Sequence, residues 1–261
     1  MSPRPASNKS RGGHAPLIIT IDGPAGVGKS TAAKLLAQRL GLAYLDTGAT
    51  YRALAYAARQ EGLHPMADAD RIARMARRLP IELGVDDHGS LRVRLSGADV
   101  STEIRTEEVT EAAALISQHP PVRQALVKRQ RELANRHGVP RRGSGRRRER
   151  ARIDGVVVEG RDTGSVVFPR APYKFFLDAN PSVRARRRQR ELKRLYGTRS
   201  PIVQIREQLH FRDGLDRTRR VGPLVTPRGA IVFDTSRLTA PQVVSAMLKH
   251  IAHPRLPGSS P

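Results

Sequence analysis

The eight residues Gly23, Pro24, Ala25, Gly26, Val27, Gly28, Lys29 and Ser30 satisfy the pattern G-x-x-x-x-G-K-[S/T] at every fixed position. The chemistry of that pattern is phosphate binding. Glycines let successive backbone N–H groups turn inward around an anion, and the helix that follows adds partial positive charge at its N-terminus. Lys29 can bridge β- and γ-phosphates, and the hydroxyl of Ser30 or Thr31 can reach a Mg²⁺ held on the same oxygens. Residues 23–31 are therefore expected to bind ATP or GTP together with Mg²⁺. The plain alternative, a Gly-rich turn with a solvated lysine, fits less well. The match begins where the β-rich run Leu17-Ile18-Ile19-Thr20-Ile21 ends, and it opens the helical stretch KSTAAKLLAQRL. GTPases read guanine through Asn-Lys-x-Asp, which the chain lacks. Motor and helicase ATPases carry a strand that ends in a Walker-B Asp. Here the candidate strand runs Val156-Val157-Val158-Glu159-Gly160-Arg161-Asp162 instead, which favours a small-molecule kinase.

Such a loop must be held by strands and helices. Short apolar runs at 17–21, 43–45, 156–158, 173–177 and 231–233 read as buried strands. Helical periodicity occupies 29–40, 51–60, 69–79, 106–136 (interrupted at Pro120-Pro121), 182–196, 201–213 and 240–251. Strands alternating with helices predict an α/β fold whose parallel sheet is covered on both faces. Between 81 and 100 the period changes to two, with Asp87-His88-Gly89 as a turn, so this stretch is expected to form a small β appendage.

The chain has 261 residues, enough for one large α/β domain, and no cysteine, which excludes disulfides and thiolate chemistry. No apolar run reaches membrane-spanning length. The eight histidines show no metal-ligand spacing. The formal net charge is +23, carried by 40 arginines and 7 lysines against 24 acids, so polyanionic or phosphorylated partners are expected. Part of that charge sits in 1–16, read as a disordered tail, and part in the Arg-rich stretch 138–155, read as an insertion.

Beyond the loop, six segments stand in one order: IDGPAGVGKST, YLDTGATYRALA, GADVSTEIRTEEV, VVVEGRDTGSVVFP, KFFLDA and FRDGLDRTRRVGPL. Together they resemble the bacterial cytidylate kinase family over about 17–251. The resemblance implies a P-loop nucleoside monophosphate kinase fold: a five-stranded parallel sheet flanked by helices, a monophosphate-binding subdomain enlarged by the β appendage at 81–105, and a lid at about 181–213. The domain would span 17–253, with 254–261 as a tail. It also implies the reaction, transfer of the γ-phosphoryl of Mg-ATP to CMP or dCMP, by a cytoplasmic monomer with no membrane attachment.

Site residues follow from the same resemblance. Thr47, Tyr51, Arg52, Arg161 and Arg219 would hold the acceptor's phosphate, a task suited to guanidinium groups because each donates paired hydrogen bonds and keeps its charge. Asp162 would read the base with Arg123 as its partner, since a carboxylate accepts from cytosine's amino group and repels uracil's carbonyl. Arg212 and Asp216 would meet the sugar. The family's further base contact, a serine, falls at Ala114, with Ser117 one turn away; losing one hydroxyl contact costs about 0.5–1.5 kcal/mol. Arg184, Arg187 and Arg188 are spaced i, i+3, i+4 and match lid arginines that would close over the transferring group. With Lys29 and Arg161 they make up the expected catalytic set.

Two points stay open. The insertion is either a disordered segment without a role or, through 140–155, a nonspecific RNA contact by phosphate binding. A P-loop protein that binds nucleic acid and uses ATP as a switch is the rival reading. Against it stand the constellation Arg52, Arg123, Arg161, Asp162, Asp216 and Arg219, and an aromatic content of 4% with no Trp, which leaves few stacking platforms.

Overall fold

The structure, a computed structural model, describes residues 16–86, 91–137, 155–197 and 200–252. In chain order its first half comprises β1 (Leu17–Asp22), α1 (Lys29–Leu40), β2 (Ala43–Asp46), α2 (Thr47–Gln60), α3 (Ala69–Arg78), β3 (Ile81–Val85), β4 (Leu91–Leu95), β5 (Ala98–Asp99), α4 (Glu107–Ile116) and α5 (Pro120–His137). The second half comprises β6 (Gly155–Gly160), β7 (Tyr173–Asp178), α6 (Pro181–Tyr196), α7 (Ile202–Thr218), β8 (Ile231–Asp234) and α8 (Ala240–Ala252). Residues 1–15 of the expected N-terminal tail, the expected turn at 87–89, residues 138–154 of the insertion and the C-terminal tail 254–261 lie outside the described residues.

The main sheet has the order β2-β6-β1-β7-β8 with every pairing parallel. β1 and β6 lie inside it, and Ile19, Ile21, Val156, Val157 and Val158 are wholly buried. Each such side chain contributes about 1.5–3 kcal/mol on burial. Helices cover both faces, as a two-sided apolar strand requires. All five sheet strands fall where the apolar runs predict them. β3, β4 and β5 form the separate antiparallel appendage; Leu91, Val93 and Leu95 point inward while Arg92 and Arg94 face solvent.

The local elements that carry polar side chains differ more from expectation. α2 begins four residues earlier than its periodicity suggests, because Asp46 caps it: Oδ1 accepts from Ala49 N at 3.1 Å. α7 runs on to Thr218, which brings Asp213 and Asp216 into one helix. A wide turn, Thr163–Val167, follows β6, closed by Val167 N on Asp162 O at 3.2 Å and Phe168 N on Thr163 O at 2.7 Å. Asp22, at the buried end of β1, holds that turn by accepting from Thr163 N (2.8 Å), Thr163 Oγ1 (2.9 Å) and Gly164 N (2.7 Å). Burial pushes the Asp22 carboxyl up, and these donors pull it back.

Candidate active site

A cavity of about 710 Å³ opens at the C-terminal ends of β1, β2 and β6, where ligands sit in open parallel sheets. Its floor is the loop 23–30. Gly23 has φ 146° and packs so closely on the Leu177 carbonyl that no Cβ fits there. Gly28 turns left-handed at φ 95° and starts α1 without a side-chain cap, so the first amides of the helix remain available to an anion. Lys29 is buried, and its Nζ donates to the loop's own Pro24 O at 2.6 Å. Burial, reinforced by the nearby Arg161, pushes the ammonium down to about 7.

Beside the loop stands Glu159, from the end of β6. It accepts from Ser30 Oγ at 3.0 Å and from the Tyr44 hydroxyl, while Thr47 Oγ1 donates to its backbone carbonyl at 2.7 Å. Burial raises its carboxyl, Asp46 adds to the rise, and Lys29 opposes it. A carboxylate next to the P-loop hydroxyl, on the strand beside β1, holds the place of a Walker-B acid. Ser30 and Glu159 suit Mg²⁺, which takes one or two protein oxygens and completes its shell with phosphates and water. Thr31 also lines the cavity.

The opposite wall is a chain of ion pairs. Arg161 Nε meets Asp216 Oδ2 at 2.8 Å, and Asp216 Oδ1 meets Arg219 Nη1 at 3.1 Å. Arg219 Nη2 lies 3.4 Å from Asp162 Oδ1, and Asp162 Oδ2 accepts from Arg123 Nη2. Arg123 is 1% exposed and sits behind Asp162, 5.6 Å from the Tyr51 ring centre. Gly222, at φ 61°, passes so close to Asp162 and Arg123 that a side chain there would displace both. Burial would raise Asp216, but Arg161, Arg219 and Arg212 hold it below the usual carboxylate range. Arg212 is pushed down to about 10 by burial and by Arg161. The Tyr51 hydroxyl has no partner among the described residues and is pushed up to about 12, chiefly by burial. Arg52 pairs with Asp46 at 2.7 Å.

The profile of the cytidylate kinase family matches residues 19–253. The chain is 42% identical over 233 residues to the cytidylate kinase of Caldanaerobacter subterraneus subsp. tengcongensis, covering 89% of this chain and 93% of that one. It is 42% identical over 231 residues to that of Mycobacterium avium (88% and 92% covered), and 41% identical over 231 residues to that of Methylococcus capsulatus (88% and 95% covered). The chain belongs to the cytidylate kinase family.

Set against the roles expected from that family, most of the named residues converge on the one cavity. Ala25, Gly26, Val27, Gly28, Lys29, Ser30, Thr31, Thr47, Tyr51, Arg52, Arg161, Asp162, Arg212, Asp216 and Arg219 all line it. Gly23 and Pro24 do not line it: Gly23 packs on the Leu177 carbonyl, and Pro24 O accepts from Lys29 Nζ. The three lid arginines part company. Arg188 lines the cavity and pairs with Glu191 at 3.0 Å. Arg187 lines its far end, spread over Val27 O (3.2 Å), Thr235 O (2.6 Å) and Leu238 O (3.3 Å). Arg184 is turned away from the cavity: it is buried on Asp213 and donates to Ala25 O at 3.2 Å, bracing α6 and α7 against the loop. Equal spacing on one helix face does not give equal surroundings, because the neighbours of that face differ along its length. Ala114 and Ser117 both border the cavity, and Ser117 Oγ donates to Ala114 O at 2.7 Å.

Residue-by-residue reading passed over Glu159, Asp22, Asp213 and Arg105. The first two do carry a signal, a carboxylate at the C-terminal end of a buried strand. Asp213 carries a weaker one, its i, i+3 spacing to Asp216. Among the described residues no helix is long and apolar enough to cross a membrane.

Proposed function

We propose that this cavity transfers the γ-phosphoryl group of ATP to the phosphate of CMP or dCMP, giving ADP and CDP or dCDP, the reaction of the cytidylate kinase family. The observation that carries the reading is the ion-pair chain Arg161–Asp216–Arg219–Asp162–Arg123 facing the phosphate loop across one cavity. In the transfer a phosphate oxygen of the acceptor attacks the γ-phosphorus while the bond to the β–γ bridging oxygen breaks. This chemistry needs positioning and charge neutralisation more than a strong base.

The glycine loop and Lys29 hold the ATP phosphates. Arg187 serves the donor base: it is pinned on three carbonyls at the end of the cavity formed by Leu238, Thr239, Ala240 and Val243. Arg52, Arg161 and Arg219 receive the acceptor's phosphate, with Thr47 and Tyr51 beside them, and Arg212 meets the sugar. Arg188 reaches the transferring group. Asp162 accepts from the cytosine amino group, its orientation fixed by Arg123 and Arg219. Asp216 orients Arg161 and Arg219 and also offers remaining lone pairs to the sugar. Ser30 and Glu159 would hold Mg²⁺, which when bound neutralises charge on the donor phosphates. The protein acts on free nucleotides in the cytoplasm as a monomer.

The test is ADP release from Mg-ATP with CMP, dCMP, UMP and AMP offered one at a time. Turnover on CMP and dCMP far above that on UMP and AMP is expected. Silence with the first two would refute the reading.

A further inference from the structure

The segment GADVSTEIRTEEV has a cation that none of the roles above uses. Arg105 closes a 3-10 turn, Glu103–Arg105, that packs against α2 and the start of α4. Its side chain is half-buried and lines the same cavity as Arg52 and Arg161. Its Nε is spent on Ser101 O at 3.2 Å, which fixes the plane of the guanidinium and leaves both Nη groups over. The arginines already placed in the acceptor half are mostly committed: Arg52 to Asp46, Arg161 to Asp216, Arg219 to Asp216 and Asp162. No carboxylate lies within ion-pair distance of Arg105 among the described residues. Its field nevertheless reaches the acceptor wall, since it helps to hold the Asp46 carboxyl low. The turn is also tied to the lid helix, because Tyr196, at the end of α6, donates its hydroxyl proton to Arg105 O at 2.7 Å.

We infer that Arg105 is a further ligand of the acceptor's phosphate, supplying uncommitted guanidinium donors to a dianion whose other arginine contacts share their charge with protein carboxylates. Tyr196 is a positioning residue for it: the hydrogen bond to the Arg105 carbonyl sets the turn when α6 lies over the site. This rests on the kinase reading above and adds a residue to it. A charge-assisted guanidinium–phosphate contact is strong because both partners are ionised and the geometry can be bidentate.

The experiment is calorimetric titration of the full-length wild type, Arg105→Gln, Arg105→Lys and Tyr196→Phe with CMP and, separately, with cytidine, which has the same base and sugar and no phosphate. Arg105→Gln should weaken CMP about 10- to 100-fold and leave cytidine unchanged, a size set by one charged hydrogen-bonding contact. Arg105→Lys should keep part of the difference. Tyr196→Phe should weaken CMP by a smaller factor, about 2- to 5-fold, again sparing cytidine. If the wild type binds CMP and Arg105→Gln binds it equally well, the inference is overturned and the kinase reading stands. Equal losses for CMP and cytidine would also overturn it, by showing that Arg105 only shapes the pocket. If Tyr196→Phe bound CMP as the wild type does, the positioning role of Tyr196 would be overturned. Failure of the wild type to bind CMP at all would strike the kinase reading itself.

Discussion

Replacing Asp162 by Asn probes base selection without changing shape. In the structure both oxygens of Asp162 face guanidiniums, Oδ1 that of Arg219 and Oδ2 that of Arg123, and each keeps a lone pair for a ligand. A hydrogen bond from cytosine's amino group to this carboxylate is worth about 1.5–3 kcal/mol. Uracil offers a carbonyl at that position, so the bond is lost and two acceptors face each other. A difference near 3 kcal/mol corresponds to about a hundredfold in kcat/KM. The Asn amide can present either Oδ1 to an amino group or Nδ2 to a carbonyl, so the CMP/UMP ratio should fall about 30- to 100-fold, mainly through better use of UMP. The variant should also be less stable, because its amide group must lie against a guanidinium. Removing one partner of a buried pair costs about 3–5 kcal/mol, and an isosteric amide less. The assay is initial-rate ADP release with CMP and with UMP on a single preparation, in which any unfolded fraction cancels from the ratio. A CMP/UMP ratio unchanged in Asp162→Asn would refute the assignment of the base reader.

Three further outcomes follow from the geometry. Lys29, held near 7 by burial and Arg161, is mostly neutral at pH 8, and bound phosphates should restore its proton. ATP binding at pH 8, measured calorimetrically in buffers of different ionisation enthalpy, should therefore take up close to one proton, fewer at pH 6, and none attributable to this group in Lys29→Met. The same depression makes the unfolded chain bind the extra proton between about pH 7 and the ordinary lysine value, so this group's burden on stability lessens as pH rises through that window. Glu159→Gln keeps the shape but removes the charge beside Ser30 and cannot accept from both Ser30 and Tyr44. It should raise the Mg²⁺ concentration for half-maximal rate about tenfold or more, in a Mg²⁺ titration at fixed ATP. Arg184→Met should cost about 3–5 kcal/mol by leaving Asp213 buried and unpaired, seen as a fall of roughly 10 °C in Tm, with the KM for CMP little changed. Adding Asp213→Leu should recover much of that stability.

The strands and helices that carry the site were legible because their signals are local. Leu17–Asp22 is a β-branched-rich run set between Pro16 and Gly23, Gly155–Gly160 is a valine run enclosed by its own glycines, and α1 starts at a glycine-lysine pair and stops at Gly41, which is left-handed at φ 66°. The capped start of α2 was not legible from periodicity, since it depends on the Asp46 side chain rather than on apolar spacing. Glu159 shows the same limit at the site. Its carboxylate matters only because β6 lies beside β1, and strand order is not written in any single segment. Arg184, Arg187 and Arg188 share a helix face in the sequence, yet their surroundings differ: Arg184 is buried on Asp213, Arg187 is held by Thr235, and Arg188 lines the open cavity. Arg105 stands in the GADVSTEIRTEEV motif, but only its packing against α2 and the hydrogen bond from Tyr196 show that it lines the cavity.

The most direct measurement is a competition in one tube. Equimolar CMP, dCMP, UMP and AMP are incubated with Mg-ATP labelled at the γ-phosphate, and the labelled nucleoside diphosphates are separated by ion-exchange chromatography. The ratios of product give the ratios of kcat/KM without any comparison between assays. Label in CDP and dCDP at least tenfold above that in UDP, with little in ADP, is the result expected of a kinase for CMP and dCMP. Label distributed evenly between CDP and UDP, or concentrated in a purine product, would contradict it.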